Sequence, residues 1–381
     1  MAVAADLIVA AEDRQTLAEI AGWDGIRPPS FSAGDFPVDV VRFADSPSPP
    51  LVVSRARRTE TLKALPATLR ERARSAFERA ERPATRLALA RGGELDLSHG
   101  AVVMGVVNVT PDSFSDGGLF FDRERAVERA LRLFEEGAAL VDVGGESTRP
   151  STYGEASPVS PEEEMSRVVP VIEGVRRSTA RALSIDTRRA EVARAALDAG
   201  ADAVNDVSAL RHDPEMAAVL ARARAAVILM HMKGDDPRRM QEDTTYVHPI
   251  ADVAAALAEA AGRALEAGLP EDRIAIDPGL GFGKSPEGNL VLLRHLAALR
   301  SLGFPIAAGA SRKAFVRRFS GVAESAPAGE RLAGSLAAAA AAARAGAAIL
   351  RVHDVADTVR FLRMARAIAL PAPSTAGALA R

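Results

Sequence analysis

A short apolar run of strand-forming residues followed by a stretch of helical length recurs eight times between residues 102 and 370, and seven of the eight carry a polar side chain at or near their end. The runs are VVMGVVN (102–108), ALVDV (139–143), ALSID (182–186), DAVND (202–206), AVILMH (226–231), IAID (274–277), PIAAG (305–309) and AILRVH (348–353). Each is bounded by turn-formers and reads as a buried strand. The segments between them are amphipathic. DRERAVERALRLFEEG (122–137), for example, opens on an Asp suited to capping and closes on Gly. Alternating strands and helices require parallel pairing, and eight units suit a (β/α)8 TIM barrel better than an open doubly wound sheet.

The first hundred residues stand outside this rhythm. DSPSPP (45–50) reads as a spacer, and residues 55 to 91 carry Arg in a helix-compatible pattern, usually the mark of a solvated face rather than of nucleic-acid binding. LALARGGELDLSHG (87–100) reads as a hairpin about Gly92 and Gly93, placed to plug the N-terminal end of the barrel. The expected division is an extension over 1–94, a barrel over 95–371 and a tail over 372–381. A formal charge of −2 gives no global reason to expect nucleic acid or an anionic membrane. With no cysteine there is no disulfide scaffold, thiolate metal site or thiol nucleophile, which suits the cytoplasm. The N-terminus lacks the basic start of a signal peptide. LAGSLAAAAAAARAGAAIL (332–350) is interrupted by Arg344 and reads as a closely packed helix rather than a membrane span.

The strand ends carry the chemistry. They finish on Asn108, Asp142, Asp186, Asn205 with Asp206, His231, Asp277, and Arg351 with His353, and barrel enzymes build their sites from C-terminal strand ends and the loops beyond. Any one polar strand end is unremarkable, but together they imply a compensating ligand, metal or basic partner. Asp186, Asn205 and Asp277 offer acceptors to a flat heterocycle bearing N–H groups. Asn108, Arg351 and His353, on the first and last strands, suit an anion, near where many barrels bind phosphate. The ligand expected is therefore a nitrogen heterocycle carrying phosphate. Two strand-to-helix loops, 110–121 and 144–161, are long for such connections and read as lids, with Phe114, Thr148 and Arg149 as specific contacts. PGLGFGKS (278–285) resembles a phosphate-binding loop but has Pro278 where Gly is required. Its glycines instead let backbone approach a ligand beside Asp277, with Phe282 as an apolar wall. ASRKAF (310–315) sets Ser311, Arg312 and Lys313 at a helix start, a place suited to negative charge.

These segments carry a family resemblance. NVTPDSFSDGG, DVGGESTRP, SIDT, NDVSAL, MHMKG, DPGLGFGK, SRK, ERLAGSLA and RVHDV occur in the order and spacing of the dihydropteroate synthases, and the chain from about Val102 to Leu370 resembles that family. The resemblance implies condensation of 6-hydroxymethyl-7,8-dihydropterin diphosphate with para-aminobenzoate, with Mg²⁺ and through a dihydropterin carbocation, in a cytoplasmic homodimer packed through the later helices. It implies catalytic roles for Asp186, Asp277 and Lys313, and a pterin site of Asp186, Asn205, Met230, Asp277 and Lys313. Asn108, Thr148, Arg351 and His353 would hold diphosphate, with Asn108 associated with Mg²⁺. Phe114, Arg149, Pro150, Phe282 and Ser311 would border para-aminobenzoate. Leu280, Ala310 and Ala314 depart from residues frequent in the family. Two alternatives share the barrel: a methyltetrahydrofolate-binding methyltransferase, against which SRK and RVHD speak, and an idle pterin-binding subunit, which has no reason to keep a diphosphate pocket.

Overall fold

The structure is a computed structural model that describes residues 8–9, 38–43, 51–54, 59, 62–63, 67–82, 84–109, 119–146, 159–246 and 249–369. Its elements in chain order are β1 (Ile8–Val9), β2 (Val38–Phe43), β3 (Leu51–Ser54), α1 (Ala67–Glu81), β4 (Arg86–Ala88), β5 (Glu94–Asp96), β6 (Val102–Asn108), α2 (Leu119–Glu135), β7 (Leu140–Gly144) and α3 (Pro161–Ser178). They continue with β8 (Ala182–Asp186), α4 (Ala190–Asp198), β9 (Ala203–Asp206), α5 (Met216–Ala223), β10 (Ala226–Met230), α6 (Pro249–Glu266), β11 (Ile274–Asp277) and α7 (Pro286–His295). The chain ends through β12 (Ile306–Ala308), α8 (Ala314–Phe319), α9 (Leu332–Arg344), β13 (Ala347–Val352) and α10 (Val355–Ala369). Strands β6 to β13 pair in chain order and close into a parallel barrel, so the expected TIM barrel is the fold. β1, β2 and β3 form a separate three-stranded sheet. Among the described residues no helix is long and apolar enough to cross a membrane.

Strand side chains alternate between two sides, and here the two sides have separate cores. Outward-facing Val103, Val107, Val141, Val143, Leu183, Ile185, Val227 and Leu229 join the large cluster beneath the helices. Inward-facing Met104, Leu140, Ala182, Ala203, Ile228, Ala275, Ala307 and Ile349 form a second cluster at the starts of the strands. Leu87, Leu89, Leu95 and Leu97 of the β4–β5 hairpin belong to that inner cluster, so the hairpin fills the N-terminal end of the barrel. The anticipated division at residue 94 falls inside β5, and both hairpin strands pack on the barrel.

Arg91 lies in the hairpin turn with φ at +59°, an unusual conformation for a side chain with a Cβ. Its guanidinium reaches the buried Asp202 at 2.6 Å, and Arg176 holds the second oxygen of that carboxylate at 2.7 Å. One buried acid therefore fastens the plug to the barrel wall. Helix α2 begins at Leu119, three residues before the start that its sequence suggested. At the other end Gly137, with φ at +106°, closes α2 as its sequence suggested.

Leu87 is fully buried in the plug. Leu87→Ala is expected to lower the unfolding free energy by about 2–5 kcal/mol, measurable as a shift in the urea midpoint of the full chain.

Candidate active site

The alternation that puts the leucine plug at one end of the lumen puts polar groups at the other. Counting in twos from the inner apolar layer leads from Met104 to Asn108, from Leu140 to Asp142 and Gly144, and from Ala182 to Ser184 and Asp186. The same count leads from Ala203 to Asn205, Ile228 to Met230, Ala275 to Asp277, and Ile349 to Arg351 and His353. Asn108 pairs with Gly144, Gly144 with Asp186 and Asp186 with Asn205 across neighbouring strands, forming one row. Gly144 leaves a gap in that row. A Cβ there would lie 3.7 Å from both Asn108 Oδ1 and Asp186 Oδ2.

Beneath the row lies Asp142, fully buried. Its carboxylate accepts from Asn205 Nδ2 at 3.1 Å, from Arg351 Nε at 2.7 Å and from the Ser184 hydroxyl. Arg351 donates its other arm to Asp186 at 2.7 Å. Arg351 was expected at the anion end, and its charge is shared between two carboxylates. Asp206 was grouped with the strand-end acids, but it faces outward and accepts from the Ser208 and Leu210 backbone N–H groups, each at 2.8 Å, so it shapes a turn. His231, just beyond β10, lies beside the Tyr246 ring, 6.0 Å between centroids.

On the opposite wall the loop after β11 is folded tightly back. Gly279, with φ at +65°, donates to Asp277 Oδ1 at 2.7 Å, and a Cβ at Gly279 would sit 1.9 Å from the His231 carbonyl oxygen. No other residue fits there. The buried Lys284 spends its ammonium on His231 Nδ1 at 2.9 Å, the His231 carbonyl at 3.0 Å and the Phe282 carbonyl at 2.9 Å. The lysine of the near-miss phosphate loop is thus a tie within the fold. Lys313 stands at the N-terminal boundary of α8 without a side-chain capping bond and donates to the Leu280 carbonyl, with its ammonium 4.5 Å from the centre of the Phe282 ring. Phe282 packs beside Met230 in a small apolar cluster with Val207, Met232 and Met240.

Burial dominates the electrostatics. It pushes Asp186 up to about 7, with Arg351 pulling the other way, and raises Asp277 against the pull of Lys313. It brings Lys313 down to about 8, against Asp277. Burial, with Arg351 nearby, lowers His353 to about 4, so this imidazole is neutral near pH 7 and meets the Ser311 hydroxyl at 3.1 Å. Among Asn108, Arg351 and His353 the positive charge therefore comes from Arg351.

Asn108, Asp186, Asn205, Met230, Asp277, Arg351 and His353 thus share one lumen, with Phe282, Ser311 and Lys313 in the loops above it. Phe114, Thr148, Arg149 and Pro150 lie outside the described residues. The ends of the loop that carries the last three are fastened, however. Arg189 binds Glu146 at 3.3 Å, the Val159 carbonyl at 2.9 Å and the buried Glu164, while Arg167 donates to the Gly145 carbonyl at 2.8 Å. Sequence reasoning missed this clasp, since TRRAEVARA reads as an ordinary helix start. It also missed the role of Asn289, whose buried amide accepts from the Gly281 N–H at 2.6 Å. Among the described residues no group of three or more His, Asp or Glu is placed to hold a metal ion.

A closed parallel barrel with carboxylates, an amide and cations converging in one mouth is a barrel enzyme for a charged heterocycle. Residues 104–353 match the family model described as pterin binding enzyme. The dihydropteroate synthase of Escherichia coli strain K12 is 42% identical over 278 residues, covering 73% of this chain and 95% of that protein. That of Mycobacterium leprae is 44% identical over 265 residues, covering 69% and 91%. A structure of the Xanthomonas albilineans dihydropteroate synthase with 4-aminobenzoic acid aligns at TM-score 0.69 and 47% identity, covering 76% of this chain and 100% of that one. The same enzyme with 7,8-dihydropteroate aligns at 0.66 and 46%, covering 75% and 100%. The chain belongs to the pterin-binding enzymes, in the dihydropteroate synthase family.

Replacing Arg351 by Met strands Asp142 and Asp186 without their cation. A loss of about 3–5 kcal/mol in unfolding free energy is expected, and adding Asp186→Asn in the same chain should return part of it. Denaturant titration of the two variants checks both.

Proposed function

We propose that the protein condenses 6-hydroxymethyl-7,8-dihydropterin diphosphate with para-aminobenzoate to give 7,8-dihydropteroate and diphosphate, a step of folate biosynthesis. The observation that carries this is the convergence of Asp186, Asn205, Asp277, Lys313 and Arg351 on one barrel mouth in a chain of this family. Solved relatives, one with 4-aminobenzoic acid and another with 7,8-dihydropteroate, carry the same pair of ring systems.

In this reading the pterin lies on Met230 with its N–H edge toward Asp186, Asn205 and Asp277, and its carbonyl toward Lys313. Asn108, Thr148, Arg351 and His353 receive the diphosphate, His353 as a neutral donor. The Asn108 amide oxygen is a hard donor open toward the lumen. It fits Mg²⁺, a cation that takes few protein oxygens and completes its shell with water and substrate phosphate. When bound there, Mg²⁺ would offset charge on the leaving diphosphate. Arg351 keeps Nε on Asp142 and turns its outer nitrogen from Asp186 toward the phosphates as they enter. Loss of diphosphate leaves a cation delocalised into the dihydropterin ring, and the fixed carboxylates of Asp186 and Asp277 stabilise it where water is excluded. The para-aminobenzoate amine then attacks from a site bordered by Phe114, Arg149, Pro150, Phe282 and Ser311, forming the C–N bond and releasing one proton to the departing diphosphate or to solvent. No covalent nucleophile is required of the protein.

The absence of cysteine supports a cytoplasmic setting. A homodimer through the later helices is supported by exposed Phe319, Met364 and Ile368 and by an exposed alanine stripe on α9 at Ala333, Ala337 and Ala341.

The direct test incubates the purified protein with the pterin diphosphate, para-aminobenzoate and Mg²⁺ and follows dihydropteroate by chromatography; no para-aminobenzoate-dependent product overturns the reading. Asp186→Asn should lower kcat by on the order of 10² or more with a modest loss of pterin binding, the mark of a transition-state interaction. The pH profile follows from the shifted groups. Asp186 must be ionised, which needs pH above about 7, and Lys313 must stay protonated, which needs pH below about 8. A plot of kcat/KM for the pterin, which reports the free enzyme, should be a narrow bell with limbs near those values. Lys313→Arg should move the alkaline limb upward and leave the acid limb in place.

A further inference from the structure

We infer that Asp142 is a positioning residue that sets which end of the Asn205 amide faces the ligand, and so makes the site selective for a ring edge that donates hydrogen bonds. The inference rests on the pterin reading above and goes beyond it, because it assigns a role to a buried carboxylate that touches no substrate.

An Asn side chain offers two donors at Nδ2 and an acceptor at Oδ1, and the two ends are nearly the same shape. Left alone in a lumen, either end could face the ligand. Asp142 removes that freedom. A carboxylate only accepts, so the group Asn205 turns toward it at 3.1 Å must be Nδ2. The amide oxygen is left for the ligand, in the row shared with Asp186 and adjoining the strand of Met230. Turning the amide over would set oxygen against oxygen in a site with no water to intervene, since Asp142 is fully buried and Asn205 is 5% exposed. The other contacts of Asp142 keep it from turning aside. Arg351 Nε and the Ser184 hydroxyl hold it from two further strands, so its oxygens cannot follow a flipping amide. Three strands far apart in the chain are thereby set by one acceptor, and the lumen presents to the ligand the acceptors Asp186, Asn205 and Asp277.

The bond can be reversed in polarity while the outcome at the ligand is kept, which gives the test. Asp142→Asn lets the Asn205 amide rotate. Asn205→Asp removes the donor and opposes two carboxylates. The combined exchange, Asp142→Asn with Asn205→Asp, restores one donor and one acceptor across the same gap, conserves charge, and again leaves an acceptor oxygen facing the ligand. Steady-state kinetics on the full chain should show KM for the pterin diphosphate raised about 10-fold or more in each single variant, with KM for para-aminobenzoate within about two-fold of the parent. The combined exchange should recover most of the lost pterin affinity. A purely structural role would lower the melting temperature without splitting the two KM values. The inference is overturned if the two KM values rise together, or if the combined exchange is no better than the worse single variant. Should Asp142→Asn not fold, as judged by thermal melting, Asn205→Asp against the combined exchange makes the same comparison. If the parent chain itself forms no dihydropteroate, the functional reading fails, and calorimetric binding of the pterin to the four proteins still decides the role of Asp142.

Discussion

The site depends on one buried ionic arrangement, the guanidinium of Arg351 lying between the carboxylates of Asp142 and Asp186. Two acids inside a barrel lumen are tolerable only with a cation among them, because burial strips each of its water. That arrangement joins the last strand of the barrel to the second and third across the lumen. It also leaves Asp186 poised, with burial and Arg351 acting in opposite senses on its proton. A ligand bearing positive charge on one side and an anionic tail on the other would find a partner for each in this pair, the carboxylate of Asp186 and the guanidinium of Arg351.

The opposite wall follows a different principle, that of tight backbone folding. Gly279 lets the loop after β11 press on the His231 carbonyl, and Lys284, bonded both to His231 and to the Phe282 carbonyl, ties that loop to the end of β10. Asp277 and Phe282 are carried on the two legs of this folded loop, so a wall for the ring and an acid for its edge keep a constant relation. Lys313 reaches across to the same loop and lies over the Phe282 ring. One wall is thus fixed by charge and the other by backbone, and the roots of the loop after β7 are clasped by Arg189 and Arg167.

The lower half of the barrel has no part in the chemistry, and its construction shows it. Its lumen is filled with Met104, Leu140, Ile228 and Ile349 and stoppered by four leucines of the hairpin. Stability lies at one end and reactivity at the other, which lets the buried charges above stand on a well-packed base.

Much of this was legible in the residues alone. The eight strand and helix units, the closing hairpin and the polar strand ends are local patterns of period two and 3.6, and local patterns survive in a linear sequence. The two-residue period even separates Asn205 from its neighbour Asp206, one facing the lumen and the other a turn. The Arg351 pairing was not legible, because its partners stand 209 and 165 residues away and nothing in RVHD distinguishes an arginine waiting for phosphate from one already holding two acids. The neutral state of His353, the tie made by Lys284 and the clasp of Arg189 on Glu146 and Val159 have the same origin. Each depends on which charges burial brings together. Sequence determined the period of the fold and the kinds of side chain at its mouth; only closure of the barrel decided which of them pair, which lose their charge and which are left free to meet a ligand, since desolvation and distance are properties of the assembled lumen.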